Sequence, residues 1–546
     1  MEKRAFIAVV FSILIIILYQ EYLRRFYPAA PPPAQETAAK PEKAPAAPPP
    51  AQVQAPAPAP SPAPAVEAAP KVPVVQVRDV TVETPDYIAR FTNQGARLKS
   101  FRLKRYRVSV AADSPLIEMV SRGPGQEYPL GLRLDDTPAG TDQGIVYDVQ
   151  GTDLNLKPGG DGRITFVGST PSGRRVVKEL RFNGSSYLVD LGVSIGGSAQ
   201  GAVLLLTTGG EPKGVKGDAI FEGLIALREG EITREWPGDI EARINLNAPL
   251  SWAGFGYTYF VSALIPADGV EADAAVVPAN GRDRGFVLET RGRVLSTTER
   301  SARYQLFMGP KVLSLLESFD RGLEDSIDFG YFAFISVPML QALHFFQTYT
   351  GNYGLDIILL TLIIKLLLWP LTHKSFVSMK RMQKLQPQMQ RLKDKFGEDK
   401  QRLNKEMMDL YKRNKVNPFG SCLPMLLQFP FFIGFYNALL TPIELRHASF
   451  LWIKDLSRPD WESLPFSAFG FDVGVPVLVL LMGASMFIQQ WMTPAIGDAN
   501  QRRMMMLMPL VFTVIFVSFP SGLTIYWFVN NLLSILQQYM INRKER

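Results

Sequence analysis

Leu355-Asp-Ile-Ile-Leu-Leu-Thr-Leu-Ile-Ile-Lys-Leu-Leu-Leu-Trp-Pro-Leu371 is an apolar stretch with a single lysine, Lys365, well inside it. At about 1.5 Å of rise per residue it comes near the hydrocarbon thickness of a bilayer and reads as a membrane span. An ammonium inside such a helix costs roughly 2.5–3.5 kcal/mol on insertion scales unless it faces protein or water. Thr361, four residues earlier, shares its helix face. Two readings of Lys365 stand side by side. In one, the long stem snorkels to the headgroups and other polar groups only bond helix to helix. In the other, the charge lines a water-accessible groove and attracts acidic segments of a passenger. Neither involves covalent chemistry.

Further apolar runs of spanning length lie at Leu423 to Leu440, Val475 to Trp491, Met504 to Phe519 and Leu523 to Ile541. They carry Gln428, Ser485, Gln489, Gln490, Ser518 and Asn530, enough polar groups for a hydrated cavity if several converge. Near the start, Ala5 to Tyr19 is apolar and follows Lys3 and Arg4, and the prolines Pro31, Pro32 and Pro33 behind Ala29-Ala30 argue for an uncleaved anchor over a cleaved signal. The count is six spans, five of them in a C-terminal bundle. A seventh run, Phe329 to Phe346, is interrupted by Pro338, Gln341 and His344.

Charge decides the topology. The segment Lys374 to Asn417 carries 13 Lys/Arg against 5 acidic residues, which marks a cytoplasmic loop. If Phe329 to Phe346 crossed, an anchor with its N-terminus inside would put that loop outside, so this run reads as a helix lying in the outer interface. Both termini are then inside and the region between anchor and bundle outside. The net charge of +7 over 546 residues gathers in the same loop, so a specific nucleic-acid site is not required to explain it. Two helices joined near Gly397 are expected there, with Met379, Met382, Met389, Met407 and Met408 either offering adaptable apolar contacts to varied peptides or holding the hairpin together.

Mean hydropathy is near zero, +0.05, because a polar N-terminal half dilutes the bundle. The expected organisation is an anchor over 1–27, a Pro/Ala-rich linker over 28–73, a β domain over 74–303, amphipathic and interfacial helices over 304–350, span 2 over 351–373, the basic hairpin over 374–420, span 3 over 421–441, an outer loop over 442–474, span 4 over 475–492, an inner loop over 493–503, span 5 over 504–520, and span 6 with a short tail over 521–546. The linker composition cannot bury a core. Short alternating runs at Val74 to Val82, Arg163 to Val167, Arg175 to Phe182, Tyr187 to Ser194 and Gly285 to Val294 argue for an antiparallel β-sandwich. Trp236 and Trp252 could form a ligand platform or belong to the core. Val312, Leu316, Phe319, Leu323 and Ile327 mark one face of an amphipathic helix packed on the sandwich. One cysteine, Cys422, excludes an intrachain disulfide, and the three histidines, His344, His373 and His447, lack ligand spacing, so neither a metal nor another cofactor is expected.

The order of motifs is familiar: Gly-Asn-Tyr-Gly-Leu at 351–355, Trp-Pro-Leu-Thr at 369–372, Met-Lys-Arg-Met-Gln-Lys-Leu-Gln-Pro at 379–387, Val-Asn-Pro-Phe-Gly-Ser-Cys-Leu-Pro at 416–424 and Phe-Pro-Ser-Gly-Leu at 519–523. The chain resembles the YidC family of membrane protein insertases, in the six-span form of bacteria with two membranes. The resemblance implies a polytopic α-helical inner-membrane protein with a large periplasmic β-supersandwich. It implies a non-enzymatic insertase and chaperone that works alone or with the Sec translocon, SecYEG and SecDF. Nascent membrane proteins, the ribosome, the signal-recognition-particle receptor and membrane lipid are the partners it brings with it. Lys365 takes the groove position that is usually arginine, keeping the charge without the carboxylate-gripping fork. Thr361 and Gln428 match groove-lining positions, Gln489 joins that lining on its polar character alone, and Tyr526 with Trp527 matches an aromatic pair that contacts the passenger, Trp527 standing where tyrosine is common. The sequence ends at Arg546, without the long basic tail of some relatives. A small-solute transporter and an assembly factor acting through the β domain are the competing classes; the five spans show no inverted repeat, which weighs against the first.

Overall fold

A computed structural model describes residues 76–122, 126–196, 203–208, 212, 222–268, 270–278, 286–294, 301–414, 416, 423–468, 471–492 and 499–544. The expected anchor and linker, Cys422 and the segment 493–498 lie outside these residues. Val75–Gly497 and Met505–Arg546 form one compact unit.

The β region is built of three sheets. Alternation along Arg175–Asn183 and Leu188–Ile195 buries every second side chain, which pins their register: Leu180 faces Leu191 across the ladder. A nine-stranded antiparallel sheet runs, in spatial order, Glu231–Glu235, Gly223–Arg228, Leu250–Gly256, Phe260–Pro266, Ser301–Pro310, Leu188–Ile195, Arg175–Asn183, Asp161–Ser169 and Asp148–Gln150. A five-stranded sheet joins Ile244–Leu246, Val270–Pro278, Phe286–Val294, Val203–Thr208 and Gly131–Leu132. Another joins Leu116–Glu118, Arg97–Arg107, Tyr87–Thr92 and Asp79–Glu83, with Leu154–Asn155 parallel at its edge. Among the described residues of the run expected from Val74, strand begins at Asp79, and the Asn93 side chain takes the backbone of Arg78 and Gln76 just before it. The last strand continues to Pro310, past the boundary expected at Arg303. Trp252 is core, its indole N–H donating to the Gly322 carbonyl at 3.2 Å, while Trp236 is 48 % exposed, so the two make no shared platform.

Between the apolar layers sits a charged knot. Asp142, fully buried, accepts from the Arg97 guanidinium (2.9 Å), the Lys178 ammonium (2.6 Å), the Tyr147 hydroxyl (3.0 Å) and the Leu132 N–H (2.9 Å). A Cβ at Gly131 would stand 2.0 Å from the guanidinium, so only glycine fits there. Burial pushes the Lys178 ammonium down to about 8, with Asp142 opposing, so it stays charged at neutral pH.

The helices follow. The residues expected as one amphipathic helix form a single turn and a half, α1 (Leu313–Glu317), and a 3-10 turn at Leu323–Ser326. Asp320 and Gly322 take left-handed backbone between them (φ 51° and 69°), and a Cβ at Gly322 would meet Leu227 at 2.6 Å. The expected apolar face still packs on the sheet, with Leu316, Leu323 and Ile327 in the β core and Val312 and Phe319 half-buried against it. Then come α2 (Ala333–Thr350), α3 (Tyr353–Phe396), α4 (Lys400–Arg413), α5 (Leu423–Leu440), α6 (Val477–Met492), α7 (Ala499–Phe516) and α8 (Ser521–Lys544). Gly351, left-handed, ends α2, and the Asn352 side chain caps α3 by accepting from the N–H groups of Gly354 and Leu355.

Span 2 and the first hairpin helix, expected as separate elements at 373/374, are the single 44-residue helix α3. At about 66 Å it is roughly twice as long as the hydrocarbon is thick, so one half must stand clear of it. Among the described residues α3 is long and apolar enough to cross a membrane; α6 and Met504–Phe516 are shorter apolar helices. Burial is inverted relative to a soluble helix: Leu359, Leu362, Ile363, Leu366 and Leu367 are exposed, while Thr361, Lys365 and Thr372 are buried.

The loop between α5 and α6 ties the helix ends together. Ser449 O accepts from Asn352 at the start of α3, Arg458 O and Leu456 O accept from Ser521 and Gly522 at the start of α8, and Asp460 accepts the Leu478 N–H in the first turn of α6. Arg446 reaches the other way, donating to the carbonyls of Arg107 and Val108 in the β domain at 2.6 Å each. One loop thus fixes three helices and the β domain.

Replacing Asp142 by asparagine leaves the buried Lys178 ammonium without its ion-pair partner, Arg97 keeping Glu127 at 2.7 Å, and removal of one partner from such a cluster costs about 3–5 kcal/mol. The expected result is a clear drop in the temperature at which the β domain of the full chain becomes protease-sensitive.

Candidate functional site

α8 lies between α3 and α6 and carries two polar stripes. Asn530, Ser534 and Gln537, spaced i, i+4, i+7, face α3, and Asn531 and Gln538 face α6. The outward positions Leu532, Leu536, Tyr539 and Met540 are exposed and apolar. Polar groups inside and apolar groups outside is the arrangement of a helix in lipid.

Lys365 meets the first stripe. Its ammonium donates to Ser534 Oγ at 2.6 Å and Asn530 Oδ1 at 3.2 Å, and the residue is 6 % exposed. Ser534 Oγ in turn donates to the Asn530 carbonyl at 2.8 Å. Among the described residues no carboxylate pairs with Lys365. The snorkelling alternative does not describe this side chain, which points at α8. Two turns along α3, Thr372 and Gln537 exchange hydrogen bonds (3.1 and 2.9 Å), and Gln537 also donates to the Trp369 carbonyl beside Pro370.

Beside the ammonium is a cavity of about 10 Å3, lined by Thr361, Lys365, Thr372, Gln428, Tyr526 and Asn530 together with apolar side chains. It has room for about one water. The polar groups that line it bond one another: the Tyr526 hydroxyl bonds Gln428, and Thr361 donates to the Ile357 carbonyl of its own helix at 2.6 Å. Four of the expected lining residues, Thr361, Lys365, Gln428 and Tyr526, come together here. Two do not line it. Trp527 packs into a ring cluster with Phe432 (4.8 Å), Phe512 (5.8 Å) and Phe516 (5.1 Å), and Gln489 lies near the end of α6. A residue next to Tyr526 points about 100° away around the helix, which explains why the adjacent pair divides.

Ser534, Gln537 and Thr372 join the site without being expected there, although the i, i+4, i+7 spacing in the last span is a readable signal. The five methionines divide as well. Met382 and Met389 are core of the α3–α4 hairpin with Leu385 and Val416, and Met407 packs against them. Met379 is half-buried and Met408 is 47 % exposed. For the first three the hairpin-holding role fits the geometry.

The 60Kd inner membrane protein family model matches residues 345–546, and the YidC periplasmic domain model matches 79–342. The membrane protein insertase YidC of Oleidesulfovibrio alaskensis is 37% identical over 562 aligned positions, covering 100% of this chain and 99% of its own. That of Syntrophobacter fumaroxidans is 38% identical over 565 positions, covering 100% of both. The chain belongs to the YidC family of membrane protein insertases. A solved structure of an active YidC insertase covers 85% of this chain and 93% of its own, at 17% identity and a TM-score of 0.37. Family membership makes this chain an inner membrane protein with a periplasmic β domain, and an insertase, not an enzyme. The transporter reading falls with it.

Within this YidC-family chain, Met389→Ala opens a hole in a small core and costs about 2–3 kcal/mol, whereas Met408→Ala removes little buried surface. Limited proteolysis of the hairpin in the intact protein is expected to speed up for the first variant and stay at the wild-type rate for the second.

Proposed function

We propose that the insertase works by presenting an uncompensated positive charge inside the bilayer to the polar segment of a passenger. The observation that carries this reading is the buried Lys365 ammonium, held by neutral oxygens, with no carboxylate on it among the described residues. A passenger arrives from the cytoplasm, its acidic flank is drawn towards Lys365, and its apolar segment passes into lipid, where burial of apolar surface drives completion. Thr361, Gln428 and Tyr526 line the path in this account. Within the hydrated groove of this account, the passenger's polar groups replace the internal bonds among the residues that line the cavity.

Geometry supports an exit past α5 and α7. The seams of α8 with α3 and α6 are stitched by several side-chain hydrogen bonds, whereas on the other side, beside the single Tyr526–Gln428 bond to α5, Trp527 packs on the rings of Phe432 and Phe512. Apolar contacts of this kind are replaced by lipid or by a passenger without leaving a polar group unpaired. Six spans, both termini in the cytoplasm and the basic α3–α4 hairpin on the same side complete the topology, supported by the charge count between Lys374 and Asn417. Work alone or beside SecYEG and SecDF, and receipt of chains from the ribosome or the signal-recognition-particle receptor, are proposed on the family resemblance.

At roughly 8 Å and an effective dielectric near 20, a unit charge is worth about 2 kcal/mol, or roughly thirtyfold. Lys365→Ala is expected to reduce insertion of a small single-span passenger with an acidic flank by about that factor, measured by protease protection in inverted membrane vesicles. Unchanged insertion would remove Lys365 from the mechanism.

A further inference from the structure

A charge needed by a passenger poses a conflict. Buried in a helix bundle, it must be solvated by the protein, yet a protein carboxylate that solvated it would also cancel it. The contacts of Lys365 resolve this. Hydrogen bonds from a charged group are stronger than those between neutral groups, and two of them are comparable with the cost of a lysine at depth. Both acceptors, Asn530 Oδ1 and Ser534 Oγ, are neutral.

The serine is set as an acceptor. Its hydrogen is committed to the Asn530 carbonyl, one turn back on α8, at 2.8 Å, so the oxygen presents a lone pair to the ammonium. It cannot also donate to a passenger carboxylate, which leaves the ammonium as the donor at that spot. Both residues are buried, Asn530 at 9 % and Ser534 at 4 % exposure, and they lie one turn apart, matching two of the three donor directions of an ammonium. Without them the long stem would be free to carry the charge to the headgroups.

We infer that Asn530 and Ser534 are positioning residues that hold the Lys365 ammonium at its depth while leaving its charge uncancelled, and so set the preference of this insertase for acidic passengers. The inference rests on the proposed role of Lys365.

The test compares two passengers that differ only in a flank carrying two aspartates or two asparagines, inserted by the full-length chain, and reads the acidic-to-neutral ratio. Asn530→Asp is the discriminating variant, because it strengthens the hold on Lys365 but supplies the counter-charge. A merely structural bond would survive it. The ratio is expected to fall to about one in Asn530→Asp, to fall several-fold in Ser534→Ala, and to persist in Ser534→Thr, which keeps the hydroxyl. A wild-type protease pattern for each variant reports that the bundle is intact, and if Asn530→Asp does not accumulate, the two serine variants decide between the outcomes. A ratio that stays at the wild-type value in Asn530→Asp or Ser534→Ala overturns the inference. Lys365→Ala separates the two levels: if it leaves the ratio unchanged, the proposed role of Lys365 fails, and if it alone abolishes the ratio, that role stands and the positioning role fails.

Discussion

The contact between the Lys365 ammonium and the oxygens of Asn530 and Ser534 is the constraint around which the bundle is arranged. An ammonium at depth needs acceptors, and in lipid these must come from a neighbouring helix. That places α8 against α3, and the second stripe of α8, Asn531 to Ser485 at 3.3 Å and Gln538 to the Met492 carbonyl at 2.8 Å, places α6 on its other side. Towards α5, α8 adds the bond between Tyr526 and Gln428, and rings pack around Trp527 from both α5 and α7. Among the described residues, side-chain hydrogen bonds are therefore more numerous on the α3 and α6 seams of α8 than on its α5 and α7 seams.

The loop between α5 and α6 gives that arrangement its outer boundary. Backbone and side-chain groups of Ser449, Leu456, Arg458 and Asp460 meet the first turns of α3, α8 and α6. These are the turns whose N–H groups would otherwise be orphaned. Arg446 then joins the same loop to the β domain through two carbonyls, and the β core runs on into it through Ile443. The β domain therefore has a mechanical connection to the helices that carry Lys365 and its partners.

Much of this is legible in the sequence, for identifiable reasons. Apolar runs of spanning length, the misplaced Lys365 and the basic loop are local properties that survive whatever the tertiary packing does. Strands such as Arg175–Asn183 and Leu188–Ile195 are visible because one buried face imposes alternation. What depends on distant partners is not legible. The break at Asp320 and Gly322 answers to Trp252 and Leu227, some 70 to 95 residues earlier, so the apolar face of Val312 to Ile327 is right and its single helix wrong. The continuity of α3 through Pro370 and Pro387 cannot be read from the change in composition at Lys374, because composition marks where lipid ends and not where a helix ends. Adjacency groups Trp527 with Tyr526, although neighbours on a helix face different ways. The partners of Lys365 escape as a set when Asn530 is weighed alone and not with Ser534 and Gln537.

The most direct test of the central claim, that passengers meet the protein at the buried charge, is photocrosslinking to a stalled nascent chain from single sites on this insertase. A photoreactive side chain at Thr361 or Gln428, both bordering the cavity, is predicted to capture the polar flank of the passenger, and one at Leu367, 69 % exposed on the opposite face of α3, is not. Capture from Leu367 with none from Thr361 or Gln428 would contradict the account.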